Sequence, residues 1–225
     1  MRFHTFITDD VPEEQKSDHI KVCKSQDIEV VYHVSPSSDD YHKIYTDHGK
    51  MMDSVLEETL FGEIACFLDL DCLPWNKNAL QEGYDYALQN RTFVGNAQNI
   101  SHIHTCNRLY AAASTLFVSR EGWEILGKPS LVWEMQGNTQ IDTAQSLSYL
   151  ADEIGYDYRL YYPLGCDVPQ WRLGNYGIGG RGTVYPGSYH FGHLRSLPLP
   201  ELWTQRVESI IAGEELVPLH RATNW

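Results

Sequence analysis

Short apolar runs alternate along the chain with stretches in which apolar residues recur every three or four positions. The first pattern is typical of strands and the second of amphipathic helices, and their alternation is typical of βαβ units around a mostly parallel sheet. The predicted strands are Phe3–Thr8, Ile28–His33, Ile64–Leu70, Thr92–Gly95, Ser114–Ser119 and Tyr156–Tyr162. The predicted helices are Val11–Ser25, Asp47–Leu60, Ala79–Gln89, Thr143–Ile154 and Pro200–Ala212. The pattern predicts a single α/β domain whose mostly parallel central sheet is flanked by helices.

Composition and charge indicate how large a core the chain can form and which partners it is expected to avoid. The 225 residues are 42% hydrophobic, which is enough to bury one sizeable core. Asp and Glu number 30 against 17 Lys and Arg, a net charge of -13 that repels a phosphate backbone and argues against a nucleic-acid partner. An anionic ligand would therefore need a local positive charge, such as a metal ion, to offset this repulsion.

Cysteine spacing and hydropathy predict where the protein resides. The five cysteines are scattered and odd in number, without the spacing of a disulfide framework or a paired zinc motif, which favours free thiols. The amino terminus lacks the apolar core of a signal peptide, and no segment approaches the ~20 apolar residues that span a bilayer. We therefore expect a cytoplasmic protein without a transmembrane segment.

The stretch EIACFLDLDCLPW ends an apolar run in two aspartates one residue apart, Asp69 and Asp71. On a strand, residues two apart point to the same face, and Pro74 prevents the strand from continuing as a central one. Both carboxylates should then lie together at the carboxyl end of the third strand, where open α/β sheets bind ligands. Two such charges repel each other unless a cation neutralises them, and Mg²⁺ or Mn²⁺ takes oxygen ligands readily. The plain alternative is a solvated strand end.

Four segments in the same order resemble the glycosyltransferases of the GT-A fold. FLDLDCLPW is similar to their DxD strand end, and AASTLFVSREGW to the strand and helix that follow it. QIDTAQSLSYL and SYHFGHLRS are similar to the later acidic helix start and to the carboxyl-terminal histidine segment. The resemblance implies a GT-A-like, Rossmann-like domain, with a nucleotide-binding half over residues 1–95 that contains the DxD. It also implies an acceptor and sugar half over 96–195, and a carboxyl-terminal helix and tail over 196–225.

The resemblance also implies a reaction and its residues. A metal-dependent glycosyltransferase moves a sugar from a nucleotide-diphospho-sugar, most simply a UDP-sugar, to a glycan or other hydroxyl acceptor. Asp71 would coordinate Mn²⁺ or Mg²⁺, Asp69 would act through the ribose or a metal-bound water, and His190 would add a metal ligand. Asp142 is the candidate general base of an inverting reaction, with the alternative that it only caps the helix behind it. Glu134 is a second candidate base.

The resemblance also implies contacts to the donor. It puts the nucleotide against the first strand, with Thr5, Thr8, Tyr32 and Lys50 as the expected nucleotide contacts. The glycine-rich run RLGNYGIGGRGTVYPGS, within a segment from Gly165 to Gly187 that we expect to be loop-rich, has two interpretations. It is either a lid that brings Arg181 onto a diphosphate or an ordinary surface loop.

Other functions stay open on the sequence alone. SHIHTC places His102, His104 and Cys106 on one side of an extended segment, which is either a zinc grouping or a polar turn. A metal ion bound by the two aspartates would also suit a nucleotidyl- or phosphoryl-transfer enzyme. A catalytically inactive nucleotide- or glycan-binding module with the same fold is the third alternative.

Overall fold

A six-stranded mixed sheet lies at the centre of the protein. The structure is a computed structural model that describes residues 1–99, 109–136, 139–172, 178–192 and 199–222. In the sheet's spatial order β2-β1-β3-β6-β5-β9, β6 alone among these strands runs antiparallel to its neighbours. The strands are β1 (Arg2–Thr8), β2 (Glu29–Ser35), β3 (Ile64–Leu68), β5 (Phe93–Gln98), β6 (Tyr110–Ser119) and β9 (Arg159–Tyr161). The prediction of a mostly parallel sheet within an α/β fold is confirmed.

Helices cover both faces of this sheet. The helices are α1 (Glu13–Ser25), α2 (Tyr41–Glu58), α3 (Lys77–Asn90), α4 (Arg120–Ile125), α5 (Gln145–Ile154) and α6 (Pro200–Ile211). On one face α2, α4 and α5 bury apolar side chains against β3, β5 and β6, and on the other α1 and α3 pack against β1, β3 and β6. Strand alternation divides β3 between the two cores, because Phe67 points to the first and Leu68 to the second.

A second, antiparallel sheet packs beside the first. Its spatial order is β13-β10-β11-β12-β4, and its strands are β4 (Cys72–Pro74), β10 (Gly165–Arg172), β11 (Ile178–Val184), β12 (Ser188–His190) and β13 (His220–Arg221). A third core cluster joins this sheet to α1 and α6. A separate hairpin pairs β7 (Glu134–Gln136) with β8 (Thr139–Ile141). In the described part of the chain, no helix is long and apolar enough to cross a membrane.

The prediction of a loop-rich segment from Gly165 to Gly187 is wrong. Residues 165–172 and 178–184 form two paired strands, and residues 173–177 lie outside the described residues. The glycines there mark close backbone approach: a Cβ on Gly165 would stand 2.2 Å from the His220 carbonyl oxygen, and Gly182 has φ +67° against the Tyr189 hydroxyl. A glycine-rich composition predicts a loop, whereas here it permits tight packing of strands.

Several predicted boundaries also differ from the structure. β3 ends at Leu68, two residues before the predicted end, and α2 begins at Tyr41 rather than Asp47 because Asp40 caps it by accepting from the His42 backbone N–H at 2.9 Å. β6 is ten residues long because the alanine-rich stretch before Ser114 is also a strand. The cysteine prediction is confirmed for the described positions, where four thiols are free and buried: Cys23, Cys66, Cys72 and Cys166.

One glycine sets how closely α2 approaches the segment before β7. A Cβ on Gly49 would stand 2.4 Å from the Val132 Cα and 2.8 Å from the Leu131 carbonyl oxygen. Asp53, one turn further along α2, accepts from the Leu131 backbone N–H at 2.7 Å. The helix and this segment are therefore held in direct backbone contact.

We predict that Gly49→Ala destabilises the protein by roughly 2 kcal/mol, since the added methyl meets backbone atoms that cannot rotate away. The direction of the change in stability is diagnostic, because the same substitution inside an unobstructed helix stabilises the helix by about 1 kcal/mol. Urea unfolding of Gly49→Ala beside Lys50→Ala, an exposed neighbour, measures the effect. A Gly49→Ala variant as stable as the wild type would show that the close approach is absent.

Candidate functional site

Asp69 and Asp71 lie in a tight turn that joins the two sheets. The Cys72 backbone N–H donates to the Asp69 carbonyl at 3.0 Å, and the Asp69 N–H donates to Ser114 of β6 at 3.1 Å. The Phe191 N–H donates to the Asp71 carbonyl at 2.8 Å. The expectation that both aspartates extend the strand is therefore wrong, since the chain turns after Leu68 and enters β4 in the second sheet. Pro74 lies in β4, the edge strand of that sheet, where a missing N–H is tolerated.

Two histidines lie beside the two carboxylates. His190 Nε2 is 3.5 Å from Asp71 Oδ1, and His48 Nε2 is 3.6 Å from Asp69 Oδ1. The side chains of Asp69 and Asp71 are 30% and 19% exposed, so both are recessed without being sealed. The His48 ring also stacks on Phe6 of β1, with ring centroids 5.1 Å apart. The four polar groups thus line one crevice beyond the carboxyl ends of β1 and β3.

The electrostatics of the crevice follow from burial and from the crowding of like charges. Burial, with the negative charges of Asp71 and Asp142, raises the pKa of Asp69, against the opposing effect of His190. Burial lowers the pKa of His48 to about 4, although Asp142 and Asp71 act in the other direction. Burial would also lower the pKa of His190, but attraction and a hydrogen bond to Asp71, with help from Asp69, outweigh it and raise that pKa. Burial is thus the largest cause of the shifts at Asp69 and His48, and the neighbouring carboxylates add to the first shift and oppose the second.

Asp142 belongs to the same crevice, as its effect on Asp69 and His48 shows. Its Oδ2 accepts from the Tyr110 hydroxyl at 2.5 Å, and its Oδ1 accepts from the Thr143 backbone N–H at 2.9 Å. The alternative role as helix cap is wrong, because α5 begins at Gln145 behind the cap residue Ala144, whose φ is +65°. The side chain of Asp142 is thus held by Tyr110 and does not cap α5.

A buried polar network supports the turn from below. The Asn96 side-chain amide donates to the hydroxyls of Ser114 and Ser188, each at 3.2 Å, and the Thr115 hydroxyl donates to Ser188 at 2.9 Å. The Cys72 thiol lies 3.1 Å from the Thr115 hydroxyl. These bonds connect β5, β6, β12 and β4, so the position of the turn is fixed from both sheets.

The structure separates two of the predicted nucleotide contacts. Tyr32 lies on the α1 face of the sheet, where its hydroxyl is 2.7 Å from His19 Nδ1. Lys50 lies on the α2 face and lines an open cavity of about 380 Å³ with Phe6 and His33. Thr8, at the carboxyl end of β1, is buried and donates to Asp10. Tyr32 and Lys50 therefore do not face a common ligand.

The other predicted residues have distinct positions. Arg181 of β11 comes two residues before Thr183, which pairs with His190, and its Nε is buried with no hydrogen-bond partner among the described residues. Glu134 is exposed at the start of β7, opposite Ile141. The zinc grouping of His102, His104 and Cys106 lies outside the described residues.

Three residues of the crevice were missed by the sequence analysis: His48, Tyr110 and His19. The last of these is fully buried and hydrogen-bonds to the backbone of Asp69 and Cys72. His48 had a signal, because Gly49 beside it interrupts a good helical pattern, and such a glycine marks a close approach. Tyr110 had none, since its partner Asp142 is 32 residues away and the contact depends on the packing of β6 against α5.

The donor set suits a hard divalent cation bound by part of the crevice. Asp71 offers an oxygen ligand and His190 a nitrogen ligand, and Asp69 lies in the same turn as Asp71. Among the described residues, no three His, Cys, Asp or Glu side chains form a complete metal-binding group. A cation here would take its remaining ligands from water or from a bound phosphate.

Comparison with known protein families, with curated proteins and with solved structures finds no match to this chain. The geometry of the crevice is therefore the basis for any functional argument.

We predict that Tyr110→Phe destabilises the protein by about 2 kcal/mol, since the lost hydroxyl donates to a carboxylate. Tyr185→Phe is the matched control: its buried hydroxyl donates to the neutral Ala97 carbonyl at 2.9 Å, and its loss should amount to about 1 kcal/mol. Chemical denaturation of both variants gives the comparison. Equal losses of stability in the two variants would mean that the bond from Tyr110 to the Asp142 carboxylate contributes no more than a bond to a neutral carbonyl.

Proposed function

We propose that this protein is a metal-dependent glycosyltransferase that moves a sugar from a nucleotide-diphospho-sugar, with UDP as the expected nucleotide. The observation that carries the proposal is the placement of Asp69 and Asp71 in one turn, with His190 3.5 Å from Asp71. The turn follows β3, and β1 pairs in parallel with both β2 and β3, so the chain order reverses between β1 and β3. Open α/β sheets bind ligands beyond the carboxyl ends of the strands at such a reversal.

Each of these residues has a separate role in the proposed reaction. Asp71 and His190 would hold the cation, and Asp69 would bind the ribose or a metal-bound water. When bound, the cation neutralises charge on the diphosphate as it departs. Arg181, near His190 and with an unpaired Nε among the described residues, would add a donor to the diphosphate oxygens.

Asp142 is the proposed base. The acceptor oxygen attacks the anomeric carbon and forms the new glycosidic bond as the bond from that carbon to the diphosphate oxygen breaks. The electron pair of the broken bond leaves on the diphosphate, and the acceptor hydroxyl proton passes to the Asp142 carboxylate. Tyr110 orients this carboxylate through its bond to Oδ2. Glu134 is exposed and lies outside the crevice, which favours Asp142 over it.

We predict that UDP binds in the presence of Mn²⁺ and that Asp71→Asn weakens this binding by about tenfold or more, because a metal ligand loses its charge. Isothermal titration of UDP and of GDP, with and without Mn²⁺, measures the effect and identifies the base. Asp27→Asn is the control, since Asp27 is an exposed acid paired with Lys77 at 2.7 Å.

The outcomes separate the alternatives. Metal-dependent binding followed by sugar transfer or donor hydrolysis supports the proposal, whereas binding without any turnover indicates an inactive binding module. Release of pyrophosphate in place of UDP would indicate a nucleotidyltransferase. If neither nucleotide binds with Mn²⁺, the proposal fails.

We predict that Arg181→Gln weakens UDP binding by about tenfold and leaves uridine binding unchanged, because only the diphosphate gains from the guanidinium. Arg159→Gln, an exposed change on β9, is the matched control. Equal weakening for UDP and uridine would assign Arg181 to another role. The same titrations as above provide the measurement.

A further inference from the structure

Two buried side chains, Trp133 and Thr143, each carry a polar atom without a hydrogen-bond partner in the described part of the chain. Trp133 is 9% exposed and Thr143 is 6% exposed. Neither the indole Nε1 nor the threonine Oγ1 finds a partner among the residues the structure describes. Burial of an unpaired polar group is unfavourable, so two in neighbouring positions are unusual within a folded core. A ligand that pairs with them would remove the penalty.

The strand register brings Trp133 and the proposed base to the same end of the β7–β8 pair. Glu134 is opposite Ile141 in that pair, so Trp133 directly precedes, and Asp142 directly follows, the last paired positions. Thr143 follows Asp142 directly in the chain. The two unpaired groups and the carboxylate therefore belong to the same end of one hairpin.

Helix α2 closes the other side of this region. The His42 ring lies against the Trp133 ring with centroids 4.5 Å apart and an interplanar angle of 34°. The segment before Trp133 is fixed to α2 by the close approach at Gly49 and by the bond from Leu131 to Asp53. His48, on the same helix, lies 3.6 Å from Asp69. We call the group formed by His42, Trp133 and Thr143 the Trp133 corner.

We propose that the Trp133 corner is the acceptor subsite and that it takes a saccharide; this inference rests on the proposed glycosyltransferase function. A sugar ring combines an apolar C–H face, which suits an indole, with hydroxyls that both accept and donate hydrogen bonds. The Trp133 N–H donates to one hydroxyl oxygen and the Thr143 hydroxyl bonds to a second. The adjacent Asp142 then faces the hydroxyl that reacts.

The chain offers a matched pair of tryptophans for the test. Trp123 is 2% exposed, and its Nε1 donates to the Pro129 carbonyl at 2.9 Å, so its N–H is already paired. Trp123→Phe therefore loses a protein hydrogen bond. Trp133→Phe keeps an aromatic ring and removes an N–H that has no partner among the described residues.

The experiment measures saccharide binding by saturation-transfer NMR with UDP and Mn²⁺ present. The probes are the methyl glycosides of glucose, galactose, mannose and N-acetylglucosamine. We expect at least one to bind the wild type, and we expect Trp133→Phe and Thr143→Val to weaken that binding by about fivefold or more. Trp123→Phe should leave saccharide affinity unchanged, and Trp133→Phe should leave UDP affinity unchanged.

Two results would overturn the inference. One is a glycoside affinity that Trp133→Phe leaves as it is. The other is a wild type that binds UDP with Mn²⁺ but none of the four glycosides. The proposed donor function is judged separately, by UDP binding: if UDP fails to bind while Trp133→Phe abolishes glycoside binding, the saccharide subsite stands and the glycosyltransferase proposal falls.

Discussion

The architecture of the crevice depends on the tight turn from Asp69 to Cys72. This turn ends β3 in the central sheet and begins β4 in the second sheet, so its hydrogen bonds hold two sheets in a fixed relation. Its two acidic side chains lie beside His48 and His190. His190 reaches Asp71 because β12 pairs with β4 immediately beyond the turn, with His190 opposite Cys72. A different turn would separate the histidine from the aspartates.

Like charges in this crevice oppose folding, and the surrounding structure offsets them. Burial raises the pKa of Asp69, and the negative charges of Asp71 and Asp142 raise it further. The hydroxyls behind the turn and the amide nitrogen of Asn96 form a set of hydrogen bonds that fixes its position, and Tyr110 holds Asp142 from a fully buried site. Strain of this kind is common where a protein prepares a site for a cation or a reacting group. The unpaired polar groups of the Trp133 corner extend the same pattern to the neighbouring hairpin.

The sequence predicts much of the fold and part of the crevice. The period of the apolar residues places β1, α1, β2, β3, α3 and α6 within a few residues, because these elements alternate strongly and carry local start and stop signals. The apolar run that is followed by two aspartates and a proline identifies Asp69 and Asp71 as candidate site residues. The segment from Gly165 to Gly187 escapes this reasoning, because its glycines serve contacts with β13 and Tyr189 that lie far away in the chain.

By itself, the sequence determined that the chain forms an α/β fold and that an acidic pair follows its third strand, since both depend on short-range periodicity and spacing. The tertiary structure alone decided which residues join that pair. His48 lies in α2, Tyr110 in β6, Asp142 in the turn before α5 and His190 in β12. They meet because β6 inserts antiparallel beside β3 and the second sheet packs against the turn. Side chains that meet through long-range packing leave no local pattern in the sequence, so the residues of the crevice could not all be predicted from the sequence alone.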